Sequence, residues 1–179
     1  GLKLTTTGAI EQDGLVTVTL TYAPAGKAPV TIDAMRLEFP VRGDVAESLV
    51  CIGAGGNFSS HTAMTLPADK TGRLWSTLDT GIGGSMMTVG SFYPQVWLGN
   101  EQRGLLWWAD SDQGWTPVNE VPAHEVLRTE VPGVSVQVSG GSAATRSLKP
   151  DTCITLRNNI ISRPETLAGP RTLTFSYMA

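Results

Sequence analysis

Period-two alternation of apolar and polar residues constrains this chain more than any other feature of its sequence. Over residues 15–22, Leu-Val-Thr-Val-Thr-Leu-Thr-Tyr, the side chains of Val16, Val18, Leu20 and Tyr22 fall on one face of an extended strand and those of Thr17, Thr19 and Thr21 on the other. Residues 31–41 repeat the pattern, with Met35, Leu37 and Phe39 opposite Arg36 and Glu38. Further strands are expected at 3–7, 49–52, 72–76, 87–92, 95–98, 104–110, 125–130, 134–139, 153–161 and 171–178. Between them stand glycine and proline punctuators such as Ala23-Pro-Ala-Gly26, Gly53-Ala-Gly-Gly56, Gly81-Ile-Gly-Gly84, Val131-Pro-Gly133 and Gly140-Gly141. No window long enough for a helix keeps a helical apolar stripe. The expectation is an all-β chain, an antiparallel β-sandwich of roughly a dozen short strands, with long loops concentrated between residues 53 and 90.

Residues 1–179 read as a single domain, long enough to bury a sizeable core without staples. With 13 basic and 16 acidic residues and a net charge of −3, the chain lacks the electrostatic footprint of a protein that binds nucleic acid or an anionic membrane. It holds no apolar run long enough to span a bilayer. Gly1 opens the chain without a basic or apolar leader, as in a mature or excised segment. Cys51 and Cys153 could close a disulfide in an oxidising compartment or stand apart as small buried hydrophobes, and their spacing does not choose between the two. His61 and His124 have no third ligand at short spacing, so no transition-metal site is expected. Asp110, Asp112, Asp69 and Asp79 could offer oxygens to calcium, but the ligand and glycine pattern of an EF-hand loop is missing and no cofactor is expected. Ser60 beside His61 is an adjacency, and a nucleophile pair requires convergence in space with an orienting third group.

The richest chemistry lies between Tyr93 and Trp115, where Trp97, Trp107, Trp108 and Trp115 alternate with Asp, Glu, Gln, Asn and Arg. A pyranose ring stacks its apolar C–H face on an indole, while its hydroxyls need groups that donate and accept, so this mixture is what a sugar-binding surface requires. Strand alternation sets a limit. Trp107 shares a face with Leu105 and Ala109, and Trp108 shares the other face with Leu106 and Asp110, so the adjacent pair cannot both be core. At least two of the four tryptophans are expected to be chiefly structural.

The run Val96-Trp-Leu-Gly-Asn-Glu-Gln-Arg-Gly-Leu-Leu-Trp-Trp-Ala-Asp-Ser-Asp-Gln-Gly-Trp115 resembles a stretch of the N-terminal β-sandwich of glycoside hydrolase family 123 and related bacterial proteins. Asn158-Asn-Ile-Ile-Ser-Arg-Pro164 and Gly169-Pro-Arg-Thr-Leu-Thr-Phe-Ser-Tyr-Met-Ala179 resemble the close of that sandwich, where such chains pass into a TIM barrel. Phe39-Pro-Val41 and the approach from Gly81 to Tyr93 also fit. The resemblance implies a secreted bacterial protein, extracellular or periplasmic. It places the catalytic Asp–Glu pair in a C-terminal barrel beyond Ala179, so no catalytic residue carries over to this chain.

The resulting expectation is a non-catalytic, carbohydrate-associated accessory domain that binds glycan or supports the barrel. Its candidate ligand-binding residues are Trp97, Trp108, Asp110, Asp112, Gln113 and Trp115, and its expected partners are a glycan and the C-terminal catalytic barrel. One alternative is a sandwich-fold polysaccharide hydrolase or lyase using carboxylates such as Glu101 and Asp110 near Arg103 and His124. The other is a protein-interaction or assembly module, in which an exposed edge strand or apolar patch would let the chain dimerise.

Overall fold

The alternation of Val16, Val18, Leu20 and Tyr22 does what it implies. In a computed structural model these residues lie on the inner face of a strand one place in from the edge of the larger sheet of an all-β fold. The structure describes residues 1–52, 61–79, 92–116, 118, 120–130, 135–136, 146–147 and 152–179. Their strands are β1 (Leu2–Ile10), β2 (Val16–Pro24), β3 (Val30–Ile32), β4 (Met35–Arg42), β5 (Ser48–Ile52), β6 (His61–Thr65), β7 (Gly72–Ser76), β8 (Gln95–Gly99), β9 (Gly104–Trp108), β10 (His124–Glu130), β11 (Ser135–Val136), β12 (Arg146–Ser147), β13 (Thr152–Ile161), β14 (Glu165–Leu167) and β15 (Arg171–Met178).

Seven strands form one antiparallel sheet in the order β1-β2-β15-β9-β8-β5-β6, and four form a second in the order β4-β13-β10-β7. Two short two-stranded ribbons, β11-β12 and β14-β3, complete the set. The expected strand over 31–41 divides into β3 and β4, while β6, β12 and β14 were not anticipated. Most of the expected 87–92 strand, the glycine-rich loops at 53–56 and 81–84, the turns at 131–133 and 140–141, and Ser60 lie outside the described residues.

The sheets meet through a single apolar cluster. Trp107 on β9 and Val96 and Leu98 on β8 are fully buried, as are Ile154 and Leu156 on β13 and Val126 on β10. Phe39 of β4 sets its edge against Phe175 of β15 at 6.0 Å between centroids, and also touches Tyr177 at 5.6 Å. Trp107 is the hub: its ring lies 5.8 Å from Trp115, 6.4 Å from Phe92, 6.5 Å from Phe175 and 5.1 Å from the imidazole of His124. Such tilted and edge-on pairs add to area burial by about 0.5–1.5 kcal/mol each. No disulfide joins the sheets, since Cys51 is buried on β5 and Cys153 lies on β13 near the Thr155 hydroxyl.

His124 places its imidazole in this core, with no exposed surface. Its Nδ1 lies 2.9 Å from Asn158 Oδ1, a pairing in which the neutral ring donates to the amide oxygen. Burial lowers its pKa from 6.5 to about 4, against smaller opposing contributions from Asn158 and the Tyr93 backbone. The unfolded chain therefore takes up the proton first, so this contribution is complete above pH 6.5, is lost as the pH falls toward 4, and levels off below that. The loss amounts to about 3 kcal/mol. Urea unfolding across this interval is expected to show that much less pH dependence in His124→Gln than in the parent chain, and parallel pH profiles would show that His124 does not titrate as its burial requires.

Candidate functional site

The β8–β9 hairpin is built by its turn. Asn100 Oδ1 accepts hydrogen bonds from the backbone N–H groups of Gln102 (3.0 Å) and Arg103 (3.1 Å), and Asn100 N–H donates to the Arg103 carbonyl at 2.9 Å. An asparagine side chain that satisfies the backbone in this way is a strong turn former. Gly99 and Gly104 face each other directly behind the turn. A Cβ on either glycine would stand 2.7 Å from Cζ2 of Trp97, and on either would come within 2.6 Å of the backbone of the facing strand. The two bare backbones thus form a shallow seat in which the benzo ring of Trp97 lies down along the sheet.

Trp97 is half-buried and points to the outer face of the seven-stranded sheet, away from the core. The strand register fixes its neighbours. One row across the sheet reads Met178, Leu106, Trp97, Val50, and the next reads Ser176, Trp108, Gln95, Ile52. Trp97 and Trp108 are therefore diagonal neighbours on one outer face, about 7–8 Å apart by ordinary sheet geometry with their Cβ atoms somewhat closer. Val50 and Ile52 beside them are exposed. On the far side of Trp108 the outer face turns polar, with cross-strand hydroxyl pairs Thr17–Ser176 (2.9 Å), Thr19–Thr174 (3.4 Å) and Thr21–Thr172 (2.8 Å).

The loop after β9 carries the next group of expected site residues. Asp110, Asp112 and Gln113 are all exposed. Gly114 then adopts φ +84° and approaches β15 so closely that a Cβ would lie 2.4 Å from the Thr172 carbonyl. The Tyr22 hydroxyl donates to the Gly114 carbonyl at 2.6 Å and fastens this bend to β2. The reversal sends Trp115 inward.

Trp115 is the correction to the expected surface. It is only 6% exposed and packs on Phe92 at 5.3 Å and on Trp107, so it is a core residue and leaves the candidate face. Trp107 and Trp115 are the two structural tryptophans of the segment, and Trp97 and Trp108 the outward pair. Among the described residues neither Trp107 nor Trp115 gives its Nε1 an acceptor, so both contribute apolar area rather than hydrogen bonds.

An open cleft of about 430 Å³ adjoins the loop, lined by Gln113, Thr116, Thr172 and the ion pair of Arg171 with Glu165. Thr116, Glu165, Arg171 and Thr172 were not singled out from sequence, because the three-residue strand β14 that delivers Glu165 has no detectable period. The grouping of Glu101, Asp110, Arg103 and His124 is not assembled. His124 is in the core, Arg103 lies 3.7 Å from Asp44, and Glu101 and Asp110 sit beyond opposite ends of β9. Among the described residues no group of three or more His, Cys, Asp or Glu side chains is placed to hold a metal ion, and no helix is long and apolar enough to cross a membrane. Asp79, one of the four aspartates considered for calcium, instead accepts from Ser76 and faces Arg73.

Comparison with protein-family models, with curated proteins and with solved structures gave no match.

Removing Trp115 is expected to cost about 3–5 kcal/mol in urea unfolding of Trp115→Ala, the range for emptying a buried aromatic site. Trp97→Ala should cost less, about 2 kcal/mol, because its ring lies on the outer face and is only partly buried. Gly104→Ala should cost about 1–3 kcal/mol through overpacking and should also shift Trp97 emission as the ring is lifted from its seat. Equal costs at Trp97 and Trp115 would contradict this division between platform and core.

Proposed function

We propose that this chain is a non-catalytic, carbohydrate-associated β-sandwich, the accessory domain of a secreted bacterial glycoside hydrolase of the family-123 type, with a glycan as its ligand. The observation that carries this reading is the outward pair Trp97 and Trp108, the first laid down over Gly99 and Gly104 and the second flanked by Gln95 and Ser176. An indole held along the sheet offers its face to the C–H side of a pyranose, and the Gln95 amide at the margin offers both halves of the hydrogen bonds its hydroxyls need. Asp110, Asp112 and Gln113 extend that margin along the loop that leaves Trp108.

A supporting role toward a neighbouring barrel draws on a different observation. An apolar groove of about 440 Å³, lined by Phe39, Val41, Val45, Leu105 and Tyr177, opens between β4 and the β9–β15 region. It exposes inter-sheet aromatic surface that a neighbouring domain would cover.

Calorimetric titration of the chain with a panel of polysaccharides and oligosaccharides, galactosamine- and glucosamine-containing glycans included, tests the ligand. Saturable binding is expected, weakened by about tenfold or more in Trp97→Ala and in Trp108→Ala while the far-ultraviolet circular dichroism is retained. Asp112→Ala and Gln113→Ala should weaken it less. Absence of binding across the panel, or binding indifferent to both tryptophans, would remove the outer face as a glycan site.

A further inference from the structure

The seven-stranded sheet ends on β1, and among the described residues no strand pairs with its outer edge. All nine residues of β1 are exposed, and the other side of the strand pairs with β2 along its whole length. The register sets Leu2, Leu4, Thr6, Gly8 and Ile10 opposite Pro24, Tyr22, Leu20, Val18 and Val16, so the first set continues the inner face of β2. Yet Leu4 is 57% and Ile10 78% exposed. A long, straight edge with unpaired N–H and C=O groups is normally guarded by proline, a bulge or several charges. β1 has no proline, no bulge in its pairing and one charge, Lys3.

We propose that β1 is a self-association edge, and that two copies of this chain pair through it as antiparallel strands about a two-fold axis at Thr6. The occupant is a second copy because the strand is complementary to its own reverse. With Thr6 opposite Thr6 of the second copy, Leu2 meets Ile10, Leu4 meets Gly8, Lys3 meets Ala9 and Thr5 meets Thr7. Every apolar inner-face residue then keeps the inner face, as strand register demands. The largest exposed side chains meet each other or a glycine. Lys3, the one charge, lies at the opposite end from its own counterpart and diagonal to Glu11 of the second copy, which follows the strand on the same alternation, so opposite charges adjoin. Such a contact is isologous and closes after two copies, so it ends in a dimer rather than a fibre. It does not depend on any glycan.

Sedimentation of the chain over a concentration series is expected to show a monomer–dimer equilibrium. Thr6→Lys and Thr6→Glu each put two like charges together at the two-fold axis and should weaken the dimer by more than about tenfold, with each variant folded as judged by circular dichroism and thermal unfolding. An equimolar mixture of the two should associate again, since lysine then faces glutamate. A parent chain that stays monomeric throughout would overturn the proposal. So would Thr6→Lys dimerising like the parent, which would place the contact on another face, or a mixture that associates no better than its components.

Discussion

Everything in this fold turns on the burial of Trp107 between the two sheets. Its ring touches Phe92, Trp115, Phe175 and His124, and through them it ties the β9–β15 pairing, the loop after β9 and the start of β10 into one cluster. With no disulfide across the sandwich, this aromatic packing and the aliphatic residues around it, Val96, Leu98, Val126, Ile154 and Leu156 among them, hold the sheets together. The cost of placing His124 there is that its charged form is excluded, which ties the stability of the sandwich to the protonation of one ring.

Fixing Trp107 inward also fixes its neighbour outward. Successive side chains of a strand point to opposite faces, so a tryptophan anchored in the core at 107 forces the one at 108 onto the outer face, and pairing with β8 brings Trp97 to the same side. Two outward tryptophans are therefore a geometric consequence of one inward one. The facing glycines at 99 and 104 let Trp97 lie down instead of standing off the sheet. Side chains there would collide with the backbone of the facing strand as well as with the indole, so the bare pair serves both the close approach of the strands and the seat of the ring.

The β-sandwich was legible because β2, β4, β7 and β15 carry clean alternation or sharp turn boundaries, and the 72–76 and 171–178 strands emerge with the expected limits. The opposed faces of Trp107 and Trp108 were legible for the same reason. β14 and β3 were not, because three-residue strands hold no period and exist only through their mutual pairing. Trp115 was misplaced for a different reason. It lies in a loop, where no repeat tells inside from outside, and its direction is set by the positive φ of Gly114 and by the hydrogen bond from Tyr22, ninety-two positions away in sequence. The cleft at Glu165 and Arg171 likewise depends on tertiary pairing that the linear sequence does not display.

The two surfaces on the large sheet have a geometric relation of their own. The aromatic pair lies on β8 and β9, the free edge is β1, and the threonine and serine hydroxyls of β2 and β15 fill the outer face between them. Those hydroxyls pair with one another across the strands, which makes this zone polar and separates the aromatic patch from the free edge. Edge-to-edge pairing with matched faces keeps the outer faces of both copies on the same side of one continuous sheet. At about 4.8 Å per strand the two aromatic patches would then stand roughly 35–45 Å apart before twist is counted. An extended polysaccharide could engage both at once, and the second contact would form at high effective concentration, so a face that grips a single sugar weakly would hold a long chain firmly. A short oligosaccharide could not span that distance and would gain nothing from association, so if both proposals hold, the edge strand would bear on the length of glycan retained without touching it.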